Sequence, residues 1–567
     1  MKTLARCKHV AAGVAAALLF IFAAAAPLQA VPADAPDSEY RDIARGIDLF
    51  GDIYRELAAG YVEPIDVRAL MYAAIDGMLA SLDPYTVFLD EGKSEELGEL
   101  TSGQYTGIGI SMAKFGGNGK IYVTSVLESY PAWKAGMRIG DRIERINSVP
   151  LRGKTLEEIR AMIKGATGSR LSMTISRGGR RSPFSVLLFR EEVRVSTVSY
   201  SGIIGDTGYV ELDSFTSHSA EDIREALGQL LRESSGNGLP LKGLILDLRD
   251  NPGGLLTAAV DISALFVEKG STIVTIRGRT PESEKIYKTE QPPMVANLPL
   301  AVLIDSESAS ASEIVSGAVQ DLDRGVVLGE RSYGKGLVQS IVRLPYDNTL
   351  KLTTAKYYTP SGRLIQKRHA DTSSVRNVLK KNREHEPLAV YHTAGNRRVY
   401  GGGGIAPDVA VEAVTRSGYE QELHRQGMFF LFASRYRAGH AGPPDSPFER
   451  KALMDAFAAF LLQQDFSYRS PSEQMLRGLE ESMDTGSPGK QPGTLPVIEP
   501  LRQELARRRQ QEIARESERI ARVLELEIMR HYNEAASRKA GIGDDPVVRK
   551  AIALLADRKA YSRMLRP

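Results

Sequence analysis

The chain has 567 residues, 42% of them hydrophobic and 25% charged, with a formal net charge of +3. Such a length suits three or four globular domains, and the near-neutral balance argues against a nucleic-acid-binding protein, which would carry a strongly basic domain. The one cysteine, Cys7, lies near the N-terminus.

Lys2, Arg6 and Lys8 form a basic start, Val10 to Pro27 is apolar and alanine-rich, and Ala30 closes a small-residue stretch suited to cleavage. Leu28 is an imperfect residue two positions before that point. The pattern predicts a secretory signal peptide over residues 1–30 and an exported protein of the periplasm or cell envelope. An uncleaved anchor, and hence membrane association, is the alternative, because the apolar run approaches a membrane span in length. Cys7 precedes the apolar core and is no lipidation site. Cleavage would leave no cysteine, so no disulfide, cysteine nucleophile or thiolate metal site. No cofactor and no metal are expected.

After a short linker at Ala33 to Ser38, residues 38–100 read as helical. Ile47, Phe50, Ile53, Tyr54 and Leu57 repeat at helical spacing, and Leu70, Tyr72, Ile75, Met78 and Leu79 give a second helix ending at Ser81-Leu82-Asp83-Pro84. Residues 101–187 change character. Tyr105-Thr106-Gly107-Ile108-Gly109-Ile110 opens a β-rich region with runs at Ile121–Val126 and Leu171–Ser176. Leu156, Ile159, Met162 and Ile163 share a helical face. With Ala135-Gly136-Met137-Arg138-Ile139-Gly140-Asp141 and Ile146-Asn147, this region resembles a PDZ domain. The resemblance implies that the amides of Gly107, Ile108, Gly109 and Ile110 hold a peptide's terminal carboxylate while the peptide adds a strand to the sheet. A glycine bulge is the bland reading of Gly-x-Gly. Met112 falls where a nucleotide-binding loop would need its third glycine.

Over residues 188–415 strands alternate with helices. Thr207–Leu212, Leu241–Leu248, Leu300–Ile304 and Gly325–Leu328 read as strands; Ser219–Leu231, Leu255–Phe266 and Ser312–Asp321 read as helices. That is a mixed α/β core. Residues 416–567 read as a helical extension. Leu453, Phe457, Phe460 and Leu461 mark one helix, and Leu501 to about Arg538 a long mixed-charge helix with Ile513, Ile520, Leu524 and Ile528 along one side. Breaks are expected at Gly442-Pro443-Pro444 and at Thr485–Gly489. The long helix suits a coiled-coil or oligomer contact, with an ordinary packed helix as the bland reading.

The chemistry concentrates in Asp305–Ile314, where Ser-Ala-Ser-Ala-Ser-Glu leads into an apolar helical pattern, and in Gly334-Lys335-Gly336. Ser310 with Glu313 fits a capping box. A serine at a helix start with a glycine-flanked lysine downstream also suggests a nucleophile and its amine base. These runs, with Gly329 to Gln339, Lys356 to Arg363 and Gly401 to Asp408, resemble the carboxy-terminal processing peptidases, PDZ-containing serine proteases, over about Tyr40 to Val414. Ser81 to Tyr85 resembles the segment preceding their PDZ domain.

The resemblance implies a crotonase/ClpP-like core with an inserted PDZ domain and helical N- and C-terminal regions. It makes Ser310 the nucleophile, Lys335 the general base and Gln339 the third member of a triad, with Asp321 structural. Asn251-Pro252-Gly253-Gly254, a tight turn after a strand, would give the oxyanion hole from Gly253 or Gly254 with Ala311. Gln339 can reach Lys335 only if the chain bends near Gly336. Lys335 needs an apolar pocket to lose its proton, for which Leu337, Val338, Ile341 and Val342 are candidates. Expected partners are proteins or peptides with a free carboxy terminus, a second copy through the helical termini, and an adaptor protein. The competing reading is a non-catalytic PDZ scaffold that kept the fold.

Overall fold

The computed structural model describes residues 37–116, 119–367, 389–412, 414–443, 448–484 and 498–566. The signal segment, most of the linker after it and the break at Thr485–Gly489 lie outside these.

Helices α1 (Asp37–Gly60) and α2 (Val67–Leu79) lead to strand β1 (Val87–Leu89) and helix α3 (Glu91–Ser102). Asp66 and Asp90 start α2 and α3 by accepting first-turn amides. The PDZ-like sheet follows, in the order β3 (Ile110–Phe115), β4 (Lys120–Val126), β5 (Arg142–Ile146), β6 (Arg170–Ser176) and β7 (Phe184–Phe189). Helix α4 (Leu156–Ile163) is started by a capping box of Thr155 and Glu158 and packs on it through Ile159 and Ile163. Strand β2 (Gln104–Gly107) pairs with β8 (Glu191–Arg194) where the chain enters and leaves this domain.

The central sheet runs β9 (Val198–Ile204), β10 (Thr207–Leu212), β11 (Gly243–Asp247), β14 (Leu300–Ile304), β15 (Val326–Gly329) and a short strand at Val409–Ala410. From β10 onward its pairs are parallel. Parallel strands covered on both faces read as unbroken apolar runs, as in Leu300–Ile304. Leu244, Leu246, Val302 and Ile304 face α5 (Ser219–Gly236), α6 (Leu256–Ala264) and α7 (Ala311–Asp321). Ile245, Ala301 and Leu303 face the chain's last helices, meeting Val548, Ala551 and Leu555. An antiparallel sheet stands beside this core: β12 (Thr272–Gly278), β13 (Lys285–Lys288), β16 (Leu337–Arg343) and β17 (Thr349–Tyr358), with β1 joined to β17.

The long C-terminal helix spans Ile498–Tyr532. Ile520, Leu524 and Ile528 are buried against Phe429, Phe432 and Phe457 of the same chain, so this stripe is internal packing. The helical region also grips the PDZ domain. Phe430 lies 5.1 Å from the Phe115 ring, and Arg530 donates to the Thr124 carbonyl at 2.6 Å. No helix among the described residues is long and apolar enough to cross a membrane.

Candidate active site

Ser310 is the last residue before α7 and has φ 55 and ψ −110. A non-glycine residue there costs about 1–3 kcal/mol and persists only where its surroundings impose it. Glu313 supplies that constraint. Its fully buried carboxylate accepts the Ser310 amide at 2.8 Å, as a helix cap should. The same oxygen accepts the Lys335 amide at 2.9 Å, and the other takes the Gly334 amide at 2.8 Å and the Ser332 hydroxyl at 2.6 Å. Burial raises the Glu313 pKa to about 7, against the pull of those four donors. Capping and site-building are thus one interaction. Sequence reading reached Glu313 only as a cap; the missed role depends on two loops meeting. From the opposite side, the buried Tyr357 hydroxyl bonds the carbonyls of Ser310, at 3.1 Å, and Lys335.

The Asp250–Gly254 turn lies against Ser310. A Cβ on Gly253, whose φ is +97, would stand 2.6 Å from the Ala309 carbonyl and 2.9 Å from both the Ser310 Cβ and the Ala311 nitrogen, so only glycine fits. The Gly253 amide, one of the expected oxyanion donors, is engaged: it donates to Asn251 Oδ1 at 2.9 Å. The Ala311 and Gly254 amides have no acceptor among the described residues. Two cross-braces join the loops: Ala309 N–H to the Asn251 carbonyl at 3.0 Å, and Asp250 N–H to Asp305 at 3.1 Å.

Lys335 precedes β16. Its Nζ stands 4.8 Å from the centre of the Tyr85 ring, a cation–π distance. Burial, then the Lys351 charge, lower its pKa to about 8, against the opposing influence of Glu313 and Asp83. Ile341, expected to line this pocket, is exposed; Tyr85 covers the amine instead. Asp83 holds that aromatic in place by accepting the amides of Tyr85 at 2.8 Å and Thr86 at 2.9 Å and the Thr353 hydroxyl at 3.2 Å. Burial raises the Asp83 pKa, but these bonds hold it below the ordinary carboxylate value.

The β16–β17 pairing shifts register between Val338 and Gln339. Gln339 Nε2 is buried without a hydrogen-bond partner, and no bond joins it to Lys335 among the described residues. Asp321 lies at the far end of α7 in a buried ion pair with Arg363 at 2.7 Å, and it accepts the Ser361 amide at 3.0 Å. It braces the Tyr358–Arg363 turn.

Of the PDZ residues, Gly107 is in β2 paired with Glu191, and Ile108 is 1% exposed in the core. Gly109 has φ +76, and a Cβ there would meet the Tyr130 Cβ at 2.6 Å. The Tyr105 hydroxyl lies within hydrogen-bonding reach of the Gly109 amide. Ile110 begins β3, the outer strand of its sheet, whose open edge suits strand addition. Leu156 and Met162 of α4 are only partly buried against the core of this domain, whereas Ile159 is wholly internal.

Residues 206–373 match peptidase family S41, residues 122–177 a PDZ domain, and residues 419–555 a PDZ-protease C-terminal helical domain. The carboxy-terminal-processing protease of Bartonella bacilliformis is 37% identical over 338 residues, 60% of this chain and 76% of that protein. The carboxy-terminal processing protease CtpB of Bacillus subtilis is 34% identical over 343 residues, 60% of this chain and 69% of its own. A solved photosystem II D1 C-terminal processing protease is 29% identical, with 63% of this chain and 85% of that one aligned at a TM-score of 0.32. At 37% identity over 76% of the Bartonella bacilliformis protein, the chain belongs to the carboxy-terminal processing proteases, serine endopeptidases of family S41.

Proposed function

We propose that Ser310 is the nucleophile of this endopeptidase and Lys335 its general base. The observation that carries this reading is the single Glu313 carboxylate holding the backbones of both residues, with Ser310 strained at a helix start and the Lys335 amine depressed toward neutrality. Ser310 Oγ attacks the scissile carbonyl as its proton passes to Lys335 Nζ. The oxyanion forms beside the Ala311 and Gly254 amides, and such preorganised donors are worth roughly 3 kcal/mol each in other hydrolases. Protonated Lys335 then delivers its proton to the leaving amine, and water cleaves the acyl-enzyme by the reverse sequence. Attack requires the Lys335 amine to move from the Tyr85 ring onto Ser310. Gln339, with its unpartnered buried amide, is the candidate to receive and orient it.

The substrate is a polypeptide with a free carboxy terminus, its end held at the Gly107–Ile110 loop and its strand added to β3. Residues 1–30 direct the protein across the inner membrane into the cell envelope. Ile43, Ile47, Phe50 and Leu57 leave α1 with an exposed apolar face that supports pairing with a second copy; an adaptor is a further candidate partner. The deciding experiment is active-site titration with a serine-reactive fluorophosphonate, using Lys335→Ala as control. Labelling at Ser310 that is lost in the control supports the assignment. A wild-type protein that neither labels nor cleaves would be the non-catalytic scaffold.

A further inference from the structure

An ion pair joins the C-terminal helices to the residue before the active-site turn. Asp545 joins the helices Glu534–Asp544 and Pro546–Ala556, which cover the sheet face opposite α7. Its Oδ1 starts the second helix by accepting the Val547 amide at 2.7 Å and the Val548 amide at 3.1 Å. Its Oδ2 accepts Arg249 Nη1 at 2.8 Å. Arg249 immediately precedes the Asp250–Gly254 turn. Its Nε and Nη2 go to Asp247, at 3.0 and 2.6 Å, and its amide to Asp247 Oδ1 at 3.0 Å. Asp247 is fixed in turn by the Tyr209 hydroxyl at 2.7 Å. The guanidinium is therefore clamped from its own strand on one side and from the C-terminal helices on the other.

What it clamps is unfavourable by itself. Asp250 has φ +57, and its carboxyl is raised by burial and by Asp305 and Asp247, with Arg249 and Arg416 the opposing cations. Three residues later Gly253 lies against Ser310. A turn under strain and like-charge crowding keeps one geometry only if its ends are held.

We propose that Asp545 is a positioning residue for peptide hydrolysis: through Arg249 it fixes the turn that sets Gly253 against Ser310. The C-terminal helices then belong to the catalytic unit. The proposal rests on the assignment of Ser310 as nucleophile.

Asp545→Asn separates the two jobs of this side chain, because asparagine caps a helix as well as aspartate does but offers Arg249 no charge. Asp557→Asn is the matched control, a cap on the last helix that accepts the Lys559 and Ala560 amides and makes no ion pair among the described residues. On a fluorogenic peptide with a free carboxy terminus, Asp545→Asn should lower kcat about tenfold with KM within about twofold, since small misplacements of catalytic groups cost rate more than binding. Fluorophosphonate labelling of Ser310 should slow by the same factor, and the melting temperature should stay close to that of Asp557→Asn. Asp545→Ser, which keeps a cap and cannot reach Arg249, should reproduce the loss. Labelling and kcat at wild-type levels in Asp545→Asn, or a loss that vanishes once rates are referred to folded enzyme, overturn the latch alone. Activity that persists in Ser310→Ala overturns the assignment of the site, and the latch with it.

Discussion

Glu313 accepts the backbone amide of Lys335 at 2.9 Å with the oxygen that also accepts the amide of Ser310 at 2.8 Å. One buried carboxylate therefore sets the separation of two residues that lie in different loops. Because the bonds go to backbone, the brace leaves both side chains free to react.

Glu313→Gln should destabilise the protein by about 2–4 kcal/mol and abolish cleavage. A glutamine has one acceptor oxygen, so in either orientation its NH2 faces at least one buried backbone donor, and each such orphan costs about 1–3 kcal/mol. Thermal melts and peptide assays on the purified variant are the check. A variant as stable as wild type would show that the carboxylate is not the brace.

Ser310→Ala should remove peptide hydrolysis while the fold survives. The helix keeps its Glu313 contact to the backbone, and losing a serine cap elsewhere costs about 1 kcal/mol. Circular dichroism and cleavage of an unstructured substrate decide the matter; retained turnover would reduce Ser310 to a cap.

Lys335→Arg should be as inactive as Lys335→Ala. Arginine keeps the charge but stays protonated at any working pH, so it cannot take the serine proton. Near-normal turnover in Lys335→Arg would refute proton abstraction at this position.

For the wild type, kcat/KM should rise with pH, with its half-point near the Lys335 pKa of about 8, because the proposed mechanism needs the neutral amine. Stability moves the same way. Between about 8 and the ordinary lysine value of 10.5 the unfolded chain holds more protons than the folded one, so this group makes folding more favourable as pH rises through that window. A rate profile flat from pH 6 to 10 would contradict the role of Lys335.

A peptide ending in a free, apolar carboxylate should be cleaved faster than the same peptide amidated at its end. The amide lacks the negative charge that backbone donors of the Gly107–Ile110 loop would favour. The comparison is one of kcat/KM at fixed ionic strength, and equal values would mean that the groove does not read the terminus.

The sequence alone determined what depends on neighbours along the chain. Continuous apolar runs such as Leu300–Ile304 encode strands buried on both faces, and Ser310 with Glu313 encodes a helix start. The glycines at 253 and 254 encode a turn that no side chain fits. Motifs spaced this closely carry their chemistry in residue order, so the family was legible. Contacts between distant segments were not. Tyr85 over the Lys335 amine, Tyr357 between the Ser310 and Lys335 carbonyls, and Asp545 on Arg249 each join elements far apart in the chain. The same holds for the two strand runs at Thr272–Gly278 and Thr349–Tyr358, which pair into a sheet only once the core has brought them together. Only tertiary structure decided these, because hydrogen bonds and burial act over a few ångströms of space and are indifferent to separation along the chain. Periodicity could show that the Ile498–Tyr532 helix has an apolar stripe; the packing of Phe429, Phe432 and Phe457 decided that this stripe closes on its own chain.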